Sequence, residues 1–359
     1  MKKKITICMV AFFTMTFFTQ AQTLGELKSK TDFGGQNPKK NASKEIYIAN
    51  FNVLVEVYRE DVDYKGKREF RGKGRAEATA KAALGLQGVD PDLLQKKVDQ
   101  LYNEMLTDLK AQGFTFIGAD RAASTDFYKK AVPFEGPIVR ESANPGMLEI
   151  IPTQFKGLAS EKTADGESSK KQGMFSGFKS LGKVVSGGNN ALSKDLDDAI
   201  ILDINLVMSW SETGGSWLTG LAGANAQIKT NLALGSKAIS APKDKKWGSK
   251  GEEDYYSLET DFNVAQGSGL KKTVWKGYLK KPLYIQGAMD NTKVESFNRG
   301  DVATSMDNGI YKVTTWTSTI SKDAKMLTVD SEKFANALYL SGSAFIKDQL
   351  NYLIDKYKK

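Results

Sequence analysis

AIILDINLVMSWSETGGSWLTGLAGANAQIKTNLALG, residues 199–235, is the stretch whose reading decides the fold. Its first part places Ile200, Leu202, Ile204, Leu206, Met208 and Trp210 on one side of an extended chain, with Asp203, Asn205 and Ser209 among those on the other. Its last part alternates Ala224, Ala226, Ile228, Thr230, Leu232 and Leu234 with Asn225, Gln227, Lys229 and Asn231. Alternation of this length predicts two strands, each needing a second layer over its apolar side. Between them, Ser211 to Gly223 carries Gly214, Gly215, Gly220 and Gly223 around Trp217 and Leu218. That is too long for a two-residue hairpin turn, so the tip is expected to project from the sheet.

Outward from this pair, Glu45 to Arg59 reads as a long strand with Ile46, Ile48, Phe51, Val53, Val55 and Val57 apolar and a change of phase near Asn50. A bulge produces such a change. Asp90 caps a helix that Pro91 opens, Leu94, Val98, Leu101, Met105 and Leu109 recur at helical spacing, and Gly113 stops it before a strand at Phe114 and Phe116. Met147 to Ile151, Thr273 to Leu279, Leu283 to Gly287 and Lys312 to Ile320 read as further strands. A second long helix, Ser331–Lys358, buries Phe334, Leu338, Phe345, Leu353 and Tyr357. Asp61 to Arg75 reads as a charged, solvated loop and Arg75 to Leu84 as helix-permissive.

The chain opens Lys2-Lys3-Lys4, followed by an apolar run from Ile5 to Phe18 and then Thr19-Gln20-Ala21, the pattern of a secretory leader cleaved after Ala21. The one cysteine, Cys8, lies inside that run, so it cannot be the lipid-modified first residue of a mature lipoprotein. Removing the leader lowers the net charge from +9 to +6. The expected organisation is a signal peptide over 1–21, a flexible N-terminal arm over 22–44, and a single domain over 45–359 with an irregular insertion at 161–194. Localisation is expected to be periplasmic, with secretion as the alternative.

There is no histidine, and none of the cysteine survives leader removal. That excludes a Ser-His-Asp triad, a thiol nucleophile and structural zinc, and leaves carboxylates, Lys and Tyr for any catalysis. Gly177 to Lys183 has the spacing of a phosphate loop, but Val184 stands where the magnesium-binding hydroxyl belongs. Asp195, Asp197 and Asp198 lack the glycine and distal glutamate of a calcium loop. No catalytic, cofactor-binding or metal-binding residue is assigned. The contact candidates are Trp217 and Leu218 at the hairpin tip, and Met174, Phe175, Phe178 and Leu181 with Lys179 and Lys183 in the insertion. The insertion residues form a basic amphipathic segment suited to an anionic membrane surface or a partner groove.

The order strand (Ile46 to Val57), helix and short strand (Leu93 to Phe116), strand pair with glycine-rich excursion (Ile200 to Leu234) and C-terminal helix (Phe334 to Tyr357) resembles the periplasmic α/β domain of the CsgG-like curli-secretion family and its TolB amino-terminal-like relatives. The resemblance implies an α/β fold, a mixed β-sheet with helices packed on it. It also implies a non-catalytic exported accessory or structural subunit of an outer-membrane secretion or assembly complex. The expected partner is then an envelope protein complex, with an anionic membrane surface and a second copy of the chain as further candidates and nucleic acid not expected. The alternative is an exported carboxylate-dependent hydrolase of envelope or extracellular glycans, which predicts a deep cleft containing two facing acids with raised pKa values.

Overall fold

The computed structural model describes residues 22–65, 68–70, 73–75, 78–142, 146–160, 188–213, 227–235, 258–295, 302–303, 306–307, 312–313, 320–321 and 325–358. A 12-stranded sheet dominates it. Its strands are β1 (Thr23–Leu24), β2 (Ser29–Gly35), β3 (Glu45–Glu56), β4 (Thr115–Phe116), β5 (Ile138–Glu141), β6 (Met147–Ile151), β7 (Ile200–Thr213), β8 (Gln227–Leu234), β9 (Asp261–Gln266), β10 (Thr273–Leu279), β11 (Leu283–Gln286) and β12 (Lys293–Glu295). The central path runs β1-β11-β8-β7-β9-β10-β2, and β3 lies parallel to β7 while joining β6 and β4. A smaller sheet joins Lys325–Thr328, Ala78–Gln87 and Tyr58–Lys65.

The helices are α1 (Pro91–Ala111), α2 (Ala119–Ala123), α3 (Gly188–Asp195) and α4 (Ser331–Tyr357). Asp90 Oδ1 accepts from the Asp92 and Leu93 amides at 2.9 and 3.2 Å, satisfying two donors that the first turn of α1 leaves free. Asp90 therefore caps the helix as the sequence indicates. Leu94, Val98, Leu101, Met105 and Leu109 of α1 and Phe334, Leu338, Phe345 and Leu353 of α4 share one core with Ile200, Leu202, Ile204, Leu206, Met208 and Trp210 of β7. Gly342 of α4 lets this approach happen, since a Cβ there would lie 3.0 Å from Leu101 Cδ1 and 3.2 Å from Leu206 Cδ1.

The expected fold class is overturned. The protein is mostly β, and nine of the eleven pairings in the main sheet are antiparallel, so it is not of the α/β class. Consecutive strands such as β7–β8 and β9–β10 pair antiparallel, where an α/β fold pairs consecutive strands parallel across a helix.

Local expectations are corrected too. The segment 22–44, expected as a flexible arm, supplies two strands: β1 pairs with β11, and all seven residues of β2 pair with β10. Its order comes from ladder bonds to strands about 240 residues away, a contribution that local polarity cannot reveal. Asp61 to Arg75 contains strands Tyr58–Lys65, Arg68–Phe70 and Lys73–Arg75 in place of a loop, and Ala78–Gln87 is a strand in place of a helix. In both, pairing with a neighbour outweighs local propensity. Ser211 to Thr213, assigned to the turn, continue β7 opposite Thr230 to Ile228.

Candidate functional site

Three tripeptides of one form, Asn50-Phe51-Asn52, Asp203-Ile204-Asn205 and Asp261-Phe262-Asn263, lie side by side on β3, β7 and β9. The middle residues Phe51, Ile204 and Phe262 are fully buried in the apolar core. The outer residues therefore share the opposite face of the sheet. Register brings them into rows: Asn50, Asp203, Asn263, Lys276 and Asp32 in one, Asn52, Asn205, Asp261, Tyr278 and Lys30 in the next. A shift of one residue in the β3–β7 register, between Leu202 and Asp203, makes this possible. Without that bulge, either Ile46 and Ile48 or Phe51, Val53 and Val55 would leave the core.

Asn50 Nδ2 donates to Asp203 Oδ1 and to Asn205 Oδ1, both at 2.9 Å. Asn205 Nδ2 in turn donates to Asp261 Oδ1 at 2.9 Å and to Asp203 Oδ1 at 3.2 Å. One amide thus bridges two carboxylates, whose Oδ1 atoms lie no more than about 6 Å apart by these two distances. Lys276 Nζ pairs with Glu259 and lies 3.6 Å from Asp261 Oδ2. Asp203 is buried, and side-chain exposure then rises outward along the face, from 13% at Asp261 through 42% at Lys276 to 56% at Asp32.

Burial pushes the Asp261 carboxyl up to about 7, and the neighbouring Asp203 adds to the rise. Burial also raises Asp203, against the hydrogen bonds from Asn50 and Asn205 and the charge of Lys276. Lys276 is lowered by burial, opposed by Asp203 and Asp32. Two adjacent acids in a poorly hydrated setting resist double ionisation, so near neutral pH the pair can hold a proton or balance a cation. Asn52, fully buried beside them, has no hydrogen-bond partner for either amide atom among the described residues.

Further along this face, Glu56 is fully buried and accepts from the Trp210 amide at 2.8 Å, the Ser211 amide at 3.0 Å, Ser211 Oγ at 2.6 Å and Arg59 Nε at 2.6 Å. Glu149 pairs with Arg140 at 2.7 Å and is raised by burial.

A cavity of about 570 Å³ is lined by Asn37, Ser43, Asp197, Asp198, Gln266 and Lys271, among others. One of about 670 Å³ lies by Tyr284, Met289 and Lys333, and one of about 310 Å³ by Asp108 and Lys347. Asp203 and Asp261 line none of these three. Asp197 and Asp198 adopt φ of 57° and 59° in the turn before β7, where Arg121 bonds Asp197 at 2.7 Å. Among the described residues, no three His, Cys, Asp or Glu are arranged to hold a metal, and no helix is long and apolar enough to cross a membrane.

Trp217, Leu218, Met174, Phe175, Phe178, Lys179, Leu181 and Lys183 lie outside the described residues, as does the leader. The polar ladder is a feature that reading single strands misses. Its signal is the threefold recurrence of acid-or-amide, apolar, Asn, which gains meaning only once β3, β7 and β9 are known to be neighbours. No family model, curated protein or solved structure matches this chain.

Proposed function

We propose that this chain is a non-catalytic exported accessory or structural subunit of an outer-membrane secretion or assembly complex, acting by docking. The observation that supports this reading is how two neighbouring acids with raised pKa values are used. The Oδ1 atoms of Asp203 and Asp261 are occupied by asparagine amides within the sheet, and neither acid lines a described cavity. Such a network orders the polar face of a wide sheet, and contact with partners falls to surfaces outside it. The resemblance in element order to CsgG-like and TolB amino-terminal-like envelope domains points the same way, for role and not for fold class.

One observation favours the glycan-hydrolase alternative: two raised acids within about 6 Å, comparable to the spacing in retaining glycosidases. A single experiment separates the readings. Affinity capture from native envelopes is run with the wild type, with Asp203→Asn/Asp261→Asn, and with Trp217, Leu218, Phe175, Phe178 and Leu181 all changed to Ser. Docking predicts that the paired Asn variant retains the wild-type partners and the Ser variant loses them. Glycan turnover by the purified wild type that Asp261→Asn abolishes would replace docking with hydrolysis.

A further inference from the structure

The strand at one end of the sheet path, β2, is bonded on one side only among the described residues, and Lys30, Asp32, Phe33, Gly34 and Gly35 are exposed. Its ladder phase is set by two bonds, Lys280 N to Lys28 O at 2.8 Å and Gln36 N to Lys272 O at 2.9 Å. In an antiparallel pair such positions alternate. Residues 28, 30, 32, 34 and 36 therefore turn their amides and carbonyls toward β10, and Ser29, Thr31, Phe33 and Gly35 turn theirs away. Ser29, Thr31 and Phe33, the outward positions before Gly35 leaves the extended conformation at φ 83°, form a template for another strand.

The side chains specify which strand. We infer that β2 pairs antiparallel with β2 of a second copy of this chain about a two-fold axis at Thr31. Outward groups can meet only in registers that place odd residues opposite odd residues. Thr31 opposite Thr31 is the register that sets Lys30 against Asp32 of the second copy, twice over. A shift of one allowed step in either direction sets Lys30 against Lys30 or Asp32 against Asp32. Opposite charges directly across a ladder stabilise it and like charges destabilise it. The face is already built for this charge arrangement. Lys30 Nζ lies 2.5 Å from Asp32 Oδ1, and Tyr278 Oη donates to Asp32 Oδ2 at 3.0 Å.

The other face carries the same complementarity. Ser29 Oγ donates to Asp348 Oδ2 of α4 at 2.6 Å, while Lys356 Nζ stands 4.5 Å over the Phe33 ring. In the Thr31 register Ser29 faces Phe33 of the second copy, which brings Asp348 of one α4 toward Lys356 of the other. The Phe33 ring, stacked at 6.3 Å on Trp275, supplies apolar surface at the junction. The contact is isologous and closes at two copies.

The test uses the full chain in a Cys8→Ser background, which leaves no other thiol. Sedimentation velocity over a concentration series should show a dimer. Lys30→Asp, which puts Asp against Asp32 twice, should weaken it by roughly tenfold or more. The double swap Lys30→Asp/Asp32→Lys restores both pairs and should return the dimer to near wild-type strength, which separates register from any loss of folding. Thr31→Cys should cross-link to itself on mild oxidation, because opposed positions lie about 5.5 Å apart at Cα. Ser29→Cys alone, facing Phe33, should not. A chain that stays monomeric throughout overturns the inference, and so does a dimer that is indifferent to Lys30→Asp or not linked by Thr31→Cys.

Discussion

The two faces of the main sheet are built from the same strands, but one is an apolar core while the other sets a polar network beside a second apolar cluster around Tyr47, Ile201 and Ala265. Toward α1 and α4, β7 presents six fully buried apolar side chains that meet Leu101, Phe345 and Leu353 in a continuous core. Toward the other side, the same strand presents Asp203 and Asn205 within an amide-carboxylate network spanning β3, β7 and β9. The apolar face is non-directional, so volume and shape decide its strength. The Asn50–Asp203–Asn205–Asp261 network holds because donor meets acceptor along it, so register decides it, and the bulge opposite Asp203 is what sets that register. One sheet can thus be tolerant on one side and exacting on the other.

The largest effects should come from breaking each face at its most committed residue. Phe345→Ala on the apolar side should lower unfolding free energy by about 3–5 kcal/mol through the cavity it leaves. Glu56→Ala on the polar side should cost a similar ~3–5 kcal/mol, because it strands Arg59 and two β7 amides in a buried setting. Denaturant melts measure both. A conservative exchange sharpens the contrast: Phe345→Leu should recover much of its loss, whereas Glu56→Gln, keeping shape and losing charge, should recover less.

The next effect is a pH dependence confined to the polar face. Asp261 is raised to about 7 in the folded state against an ordinary 3.8, so folding favours its protonated form. Its contribution is intact below about pH 4 and is lost as pH rises through about 7. Wild-type stability should therefore fall between pH 4 and pH 8 relative to Asp261→Asn, which cannot ionise, by an amount on the order of a few kcal/mol. Thermal melts across that range measure it. A variant whose curve parallels the wild type would mean that the pair stays ionised through compensation by Lys276.

The smallest effect lies at the edge of the apolar layer. Asp90→Ala removes two capping bonds from the start of α1 and should cost about 1 kcal/mol. A denaturant titration of the variant against the wild type checks it.

Much of the apolar face was legible in the sequence. Period two in Ile200–Trp210, the period of α1 and its Asp90 cap, and the phase change near Asn50 are local signals that tertiary packing had no cause to override. The polar face was legible only in fragments. Asp203 and Asn205 read as an outward face, yet Asn50, the partner of Asp203, and Asp261, the partner of Asn205, lie 153 and 56 residues away in the chain. The N-terminal arm, the charged segment after Tyr58 and the alanine-rich segment before Gln87 were misread for a related reason, since each is a strand by virtue of the strand beside it.

The sequence by itself determined the two long helices, the central strand pair, the stripe each buries, and the absence of histidine from any chemistry the chain could perform. Only the tertiary structure decided that the sheet is chiefly antiparallel, that 22–44 completes it, and that three separate tripeptides become one buried network. Periodicity is written into neighbouring residues, whereas hydrogen-bond partnership between strands depends on register across long loops, which no local pattern encodes.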